Sequence, residues 1–269
     1  MHNNKSHIKT FFGFKWITYI YLFLVLVIFA WLINIAIAPL NKSEQIQKLI
    51  NADSVFTDNF NSTFYNPEME VLVKEKAYKE ALLRLSENDS IQLVVNLSDS
   101  TVNLSLRGIL IHQTKIATFT KDKFFDKFSL IQEIKLFSQP LLLQSQYATI
   151  VKEPIVVRHA PKDTLEAALN AWEPDTLIQN PAFVSLVFEH NIQLILEEDD
   201  DENRAFYDER EKFGFYNHLR LEKLKHSASR FFSFKKQEYF PVIKIKMPVD
   251  DLRAIYRALP AYTYIVIKL

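Results

Sequence analysis

The 269-residue chain has no cysteine. This excludes disulfides, thiolate metal sites and a cysteine nucleophile together. Glycine is nearly absent as well, with Gly13, Gly108 and Gly214 the only three, so the Gly-rich phosphate loops of dinucleotide-binding and P-loop proteins are excluded. Neither sign of charge is in excess: Lys+Arg and Asp+Glu both number 32. A nucleic-acid binder would need a basic face, so no nucleic-acid partner is expected. The seven histidines form neither HExxH nor another ligand spacing. No metal, cofactor or catalytic motif is read in the chain. Without disulfides, a domain outside the membrane rests on an ordinary core, which the 22 phenylalanines can supply.

What the chain does have is one long apolar run. From Trp16 to Ala38 it reads WITYIYLFLVLVIFAWLINIAIA, and no charged residue occurs between Lys15 and Lys42. A helix needs about 20 apolar residues to cross ~30 Å of hydrocarbon, so residues 16–39 are expected to span a membrane and meet its lipid. Ala36-Ile37-Ala38 has the form of a signal-peptidase site. The apolar run is longer than a signal-peptide core, however, and Pro39 would follow the cut, so an uncleaved anchor is the reading. Lys5, Lys9 and Lys15 precede the run with no acid, whereas Lys42 and Lys48 follow it mixed with Glu44 and Asp53. The positive-inside rule then puts residues 1–15 in the cytosol and the C-terminal part in the periplasm or outside.

Beyond the anchor, residues 40–89 read as a juxtamembrane helical linker. Ile46, Leu49 and Ile50 suggest a short amphipathic helix, and Asn66-Pro67-Glu68 starts a second one running to about Glu87. Val71, Tyr78, Leu82 and Leu85 form its expected buried stripe. At Ser90 the period changes to two. Ile91–Leu97, Val102–Leu106 and Ile109–Thr118 read as three strands of a meander, turning at Ser98-Asp99-Ser100 and Arg107-Gly108. The Phe-rich stretch 124–137 shows no clean period. Tyr147–Arg158 reads as one or two strands, Pro161–Trp172 as a short helix, and Phe183–Phe188 with Ile192–Leu196 as a strand pair turning at His190-Asn191. The acidic run Glu197–Glu202 suggests a solvated loop or helix start, and Asn203–Arg230 a long solvent-facing helix weakened near Gly214. Val242–Met247, Pro248–Leu259 and Tyr262–Leu269 read as strand, helix and strand. The expected class is α+β: one N-terminal transmembrane helix, a helical linker, and a mixed, mainly antiparallel β domain with peripheral helices over residues 90–269.

The residues of interest are few. Lys244 and Lys246 share one strand face; they fit an anionic-ligand or partner surface, or an exposed edge-strand pair. Glu197 and His190 are the other surface candidates, and as a carboxylate–imidazole pair they are all that suggests a hydrolase. Asp53-Ser54-Val55, Asp89-Ser90-Ile91, Asp163-Thr164-Leu165 and Asp175-Thr176-Leu177 have the Asp-Ser/Thr-apolar form of a periplasmic O-glycosylation site, and each also reads as a cap or turn.

The meander IQLVVNLSDSTVNLSLRGILIHQTKI and the tail VIKIKMPVDDLRAIYRALPAYTYIVI resemble the opening and the close of an L,D-transpeptidase (YkuD-like) domain. In that family a strand carrying His-Gly-Cys, a hydrophobic residue, Arg and often Met precedes a short helix ending near Leu-Pro, and a last strand follows. Ile245-Lys246-Met247, Leu259-Pro260 and Thr263–Ile267 match this order. Val242, Ile243 and Lys244 stand where the resemblance implies histidine, glycine and the nucleophilic cysteine. The resemblance covers the two ends of residues 90–269. It implies a catalytically inert, membrane-anchored module that binds a protein partner or cell-wall peptide. Two other readings stand beside it: a structural subunit of a larger membrane complex, and a hydrolase.

Overall fold

The computed structural model describes residues 6–51, 67–152, 181–199 and 205–269. The expected helix Pro161–Trp172 and the motifs at Asp53, Asp163 and Asp175 lie outside these residues. The chain forms two compact units. One joins Met1–Ala52 to Leu219–Tyr239; the other comprises Asp53–His218 and Phe240–Leu269. Residues 90–269, read from the sequence as one domain, are therefore shared between them.

In the first unit, α1 is one helix from Ser6 to Asn51 that continues through Pro39. The long apolar run and the amphipathic segment after it are thus one element, because a proline removes only one helical hydrogen bond and the turns on both sides keep theirs. Its stretch Trp16–Ile50 is long and apolar enough to cross a membrane. From the end of the apolar run onward, Ala38, Lys42, Ile46 and Ile50 are buried at successive helical turns. The unit's other segment begins with the second half of α4 (Ala205–Phe232) and runs on to Tyr239. Trp31 Nε1 donates to Ser227 Oγ at 3.0 Å, and Lys236 Nζ stands 3.7 Å from the Glu44 carboxylate. α4 closes with a Schellman turn. The Lys235 amide donates back to the Arg230 carbonyl at 2.9 Å, and Phe234 takes the left-handed conformation at φ 54°, a place usually given to glycine.

The second unit is built on nine strands in the order β3-β2-β1-β9-β5-β6-β7-β8-β4. These are β1 (Gln92–Asn96), β2 (Thr101–Leu106), β3 (Ile109–Lys115), β4 (Thr118–Lys121), β5 (Leu141–Ala148), β6 (Phe183–Phe188), β7 (Ile192–Glu198), β8 (Val242–Met247) and β9 (Tyr264–Lys268). Pairing is antiparallel except for β1 with β9 and β7 with β8. The meander turns where the sequence places them. Arg107 and Gly108 take φ of 50° and 77°, the paired positive values of a tight hairpin turn that matches the strand twist.

Several expectations need correction. The strand expected over Ile109–Thr118 is two strands: after β3 the Ile116 amide bonds the Ser100 carbonyl, while the Ala117 amide already bonds the Lys246 carbonyl, so β4 pairs with β8 at the far end of the sheet. β8 is consequently interior, and Lys244 and Lys246 are not an edge pair. β8 and β9 do not adjoin either. The helix α5 (Val249–Ala258) carries the chain from beside β7 to the slot between β1 and β5, and Leu252, Ile255, Tyr256 and Leu259 are buried as their spacing requires. The Phe-rich stretch is a 3-10 turn, Phe125–Lys127, followed by α3 (Leu130–Phe137), whose start is a capping box between Ser129 and Gln132.

Helix α2 (Pro67–Ser86) packs on the face of β1 and β9 through Ala81 and Leu85, which meet Val94 and Val266. Its buried stripe is Ala77, Ala81 and Leu85, flanked by Tyr78 and Leu82, while Val71 is exposed. Alanines let the helix backbone approach the sheet closely, and this covers the nominally polar side of β1. All five β1 residues are buried. Gln92 donates its side-chain amide there to the Leu85 and Asn88 carbonyls at 2.5 and 3.2 Å, at the C-terminal end of α2. Ala81→Leu is expected to force α2 off the sheet and cost about 1–3 kcal/mol. A lower urea midpoint for the full-length variant in detergent checks this; an unchanged midpoint would contradict the close packing.

Candidate functional site

Lys244 lies mid-strand in β8, opposite Ile195 of β7 and Thr120 of β4. Strand alternation turns Ile243, Ile245 and Met247 into the core and leaves Val242, Lys244 and Lys246 half-buried on the other face. Glu197 stands opposite Lys246 in the parallel register. The first half of α4 brings the partners. Phe215 is buried against Tyr147 and Phe183, with ring centroids 5.6 and 5.5 Å away. The next residue, Tyr216, donates its hydroxyl to Glu197 Oε1 and receives Lys244 Nζ over its ring, 4.6 Å from the centroid. Lys212, one turn earlier, reaches within 4.0 Å of Glu197 Oε2. Lys212, Tyr216, Glu197 and Lys244 thus form one cluster.

Its chemistry follows from the geometry. Burial pushes the Tyr216 phenol well up from its ordinary value, and the Glu197 carboxylate adds to the rise, so the hydroxyl holds its proton and acts as a donor. The Lys244 ammonium is attracted to the negative face of the ring. Glu197 and Glu198 are not a solvated loop: both are buried in β7. Glu198 Oε2 accepts from the Ala182 amide at 2.9 Å, just as Glu197 accepts from Tyr216.

His190 lies elsewhere. It sits in the β6–β7 turn with φ 57°, whereas Glu197 is at the opposite end of β7, roughly 20 Å along the strand. The structure brings Lys244, Lys246 and Glu197 onto one face and leaves His190 out, so Glu197 and His190 do not form a hydrolytic pair. Among the described residues no three metal-binding side chains cluster.

A second feature escaped the sequence reading. A cavity of about 310 Å³ lies between α2, α3 and the chain end, with Val71, Tyr78, Ile134, Phe137, Lys268 and Leu269 in its lining. Its walls are largely apolar and its charges are paired. Lys268 Nζ bonds Glu75 at 2.6 Å and lies 5.1 Å from the Tyr78 ring centroid; Lys74 bonds Glu133 at 2.8 Å. Such a cleft suits an apolar side chain of a peptide flanked by polar backbone. The one available sequence signal was the Ser129–Gln132 capping box, which marks α3 and hence one wall. His112 and Asp251 also meet, at 3.0 Å, with Thr114 donating to the same carboxylate at 2.6 Å. These contacts brace edge strand β3 against the first turn of α5.

Family models, curated proteins and solved structures give no match to this chain.

The Glu75–Lys268 pair makes stability depend on pH. The Lys268 hydrogen bond lowers the Glu75 carboxyl below its ordinary value, and the bond to Glu75 raises Lys268. A lowered carboxyl contributes stability above its unfolded value, about 4.3, and loses it as pH falls through the folded value; a raised lysine contributes below about 10.4 and loses it as pH rises through its folded value. Lys268→Met should therefore destabilise the protein most between these limits. Urea midpoints of variant and parent should converge as pH drops below the carboxylate range. A midpoint difference that is constant down to the acid limit would show that the pair does not titrate in this way.

Proposed function

We propose that the chain is a single-pass envelope protein whose sheet unit is a transpeptidase-like module that binds a protein partner or a cell-wall peptide without turning it over. The N-terminus is cytosolic and the C-terminal part periplasmic or extracytoplasmic, in an inner-membrane protein. Lys5, Lys9 and Lys15 before the span, without an acid, support this orientation.

The observation that carries the reading is the position of Lys244. It stands where the resemblance implies the nucleophilic cysteine, and its ammonium packs over the Tyr216 ring while Tyr216 is bonded to Glu197. Acyl transfer through a thioester needs a thiolate activated by a base, and the chain has no cysteine. A lysine nucleophile must first lose its proton, and the Lys244 Nζ is already engaged over the Tyr216 ring. An amide formed on its nitrogen would then end turnover. The apolar cleft beside Tyr78 and Phe137 supplies a surface for holding a peptide.

A second reading, a subunit of a larger membrane complex, draws on β3. This strand ends the sheet and exposes Ile109, Leu110 and Ile111 in succession, and an exposed apolar edge is a template for pairing with another chain.

Full-length protein in detergent, incubated with a donor tetrapeptide muropeptide and an acceptor, should give no cross-linked or exchanged product above a no-protein control by mass spectrometry. The donor should still bind. Product that disappears on Lys244→Ala would overturn the inert reading. Protease added to intact spheroplasts should degrade the C-terminal part and leave an anchor fragment; protection until lysis would reverse the topology.

A further inference from the structure

We infer that the end of α4 is a second lipid contact: Phe232 and Phe234, with Lys235 and Lys236 beside them, enter the interface of the same bilayer that α1 crosses. The inference rests on the reading of Trp16–Pro39 as a membrane span.

The first observation is exposure. Phe232 is 73% exposed and Phe234 is 98% exposed. Exposed apolar residues scattered singly need no explanation, but these two lie at one helix end and on a turn that costs conformational energy. Phe234 occupies the left-handed position of the Schellman turn at φ 54°. Bulky side chains rarely adopt that conformation, and in water this one gains no burial in return. In an acyl-chain environment the same geometry places a phenyl ring where it is desolvated.

The second observation is depth. Phe231, Phe232, Phe234, Lys235 and Lys236 share a groove with Asn34 of α1, within one compact unit. Lys15 is the last charge before the apolar run. At 1.5 Å rise per residue, Asn34 lies about 29 Å along the helix from Lys15, which matches the ~30 Å thickness of the hydrocarbon. The groove therefore sits where the acyl chains meet the headgroups on the far side from Lys15. Trp31, three residues deeper, bonds Ser227 of α4 through its indole N–H, and tryptophan at this depth is the usual interfacial anchor.

The third observation is the chemistry of the rim. Lys235 and Lys236 are exposed next to the phenyl rings. An apolar wedge bordered by long cations suits a headgroup layer, where the Lys235 ammonium reaches phosphate, Lys236 stays beside Glu44, and the rings enter the acyl chains. A protein partner would have to bind at the same depth, in competition with lipid already present there.

The absence of native cysteine makes single-cysteine probes clean. Full-length Phe232→Cys and Phe234→Cys, labelled with bimane, are reconstituted in phosphatidylethanolamine–phosphatidylglycerol vesicles. Leu24→Cys in the span and Glu44→Cys beyond it serve as references. Lipid brominated along its acyl chains should remove most of the fluorescence at positions 232, 234 and 24, and iodide present on both sides should remove little. Position 44 should show the reverse. Labels at 232 and 234 that follow position 44 would overturn the inference while leaving the span intact. Shielding from both quenchers that is relieved by dilution with unlabelled chain would assign the surface to a second copy and overturn it too. Failure of brominated lipid to quench position 24 would remove the span reading and the inference together.

Discussion

Phe215 is the contact on which the candidate site depends. It is 1% exposed and lies against Tyr147 and Phe183. Burial of one such side chain contributes about 1.5–3 kcal/mol, and aromatic neighbours add to that. It holds the first half of α4 to the outer face of β5 and β6. Because the anchoring residue is adjacent in sequence, Tyr216 is then carried to Glu197 and Lys244. His218 follows, stacked on Tyr147 at 3.9 Å between ring centroids. The polar cluster is thus placed by an apolar contact, and its charges meet because a helix is fastened nearby.

This arrangement explains how the sheet can carry polar and charged residues away from solvent. In β7 the two carboxylates are matched by a tyrosine hydroxyl and a backbone amide, since an unpaired buried charge costs far more than a paired one. Elsewhere in the sheet unit, Gln193 donates to Ser185 at 2.8 Å and Thr263 to the Ile91 carbonyl at 2.7 Å. These bonds tie β6 to β7, and the residue before β9 to the residue before β1, at points where a hydrophobic residue would give burial without fixing register. The same logic governs β1, where α2 covers the face that carries Gln92 and Asn96.

How much could be read from residues alone varies with the range of the interaction. The long apolar helix, α2, the hairpin turns, β6, β7, α5 and β9 were legible because period and turn chemistry are local. The β6–β7 turn at His190-Asn191 fell where expected, with both residues at positive φ. The change of partner between β3 and β4 was not legible, because alternation continues through Ile116 while the choice of neighbouring strand is made by distant residues. α3 was hidden by the phenylalanines around it, although Ser129 and Gln132 carried its start signal. The burial of Glu197 was illegible for a similar reason. Its donor is Tyr216, on another element, and an acidic run read by itself implies solvent. Val71 was expected inside; the buried stripe is instead turned toward Ala77 and Ala81, with Leu85 shared and Tyr78 and Leu82 at its margin, and Val71 is left exposed. Of the site residues, the common face of Lys244 and Lys246 followed from alternation, but its cover by α4 did not.

The central claim is that this cover belongs to the folded state and is not a lid that opens to admit a substrate. Hydrogen exchange on the full-length protein measures it directly, because local opening exposes amides at a lower free energy than global unfolding does. The account predicts that amides of Glu209–His218 in α4 exchange as slowly as those of β7 and β8. Rapid exchange in Glu209–His218 while β7 and β8 stay protected would show that Lys244 is uncovered in the native ensemble, and would contradict it.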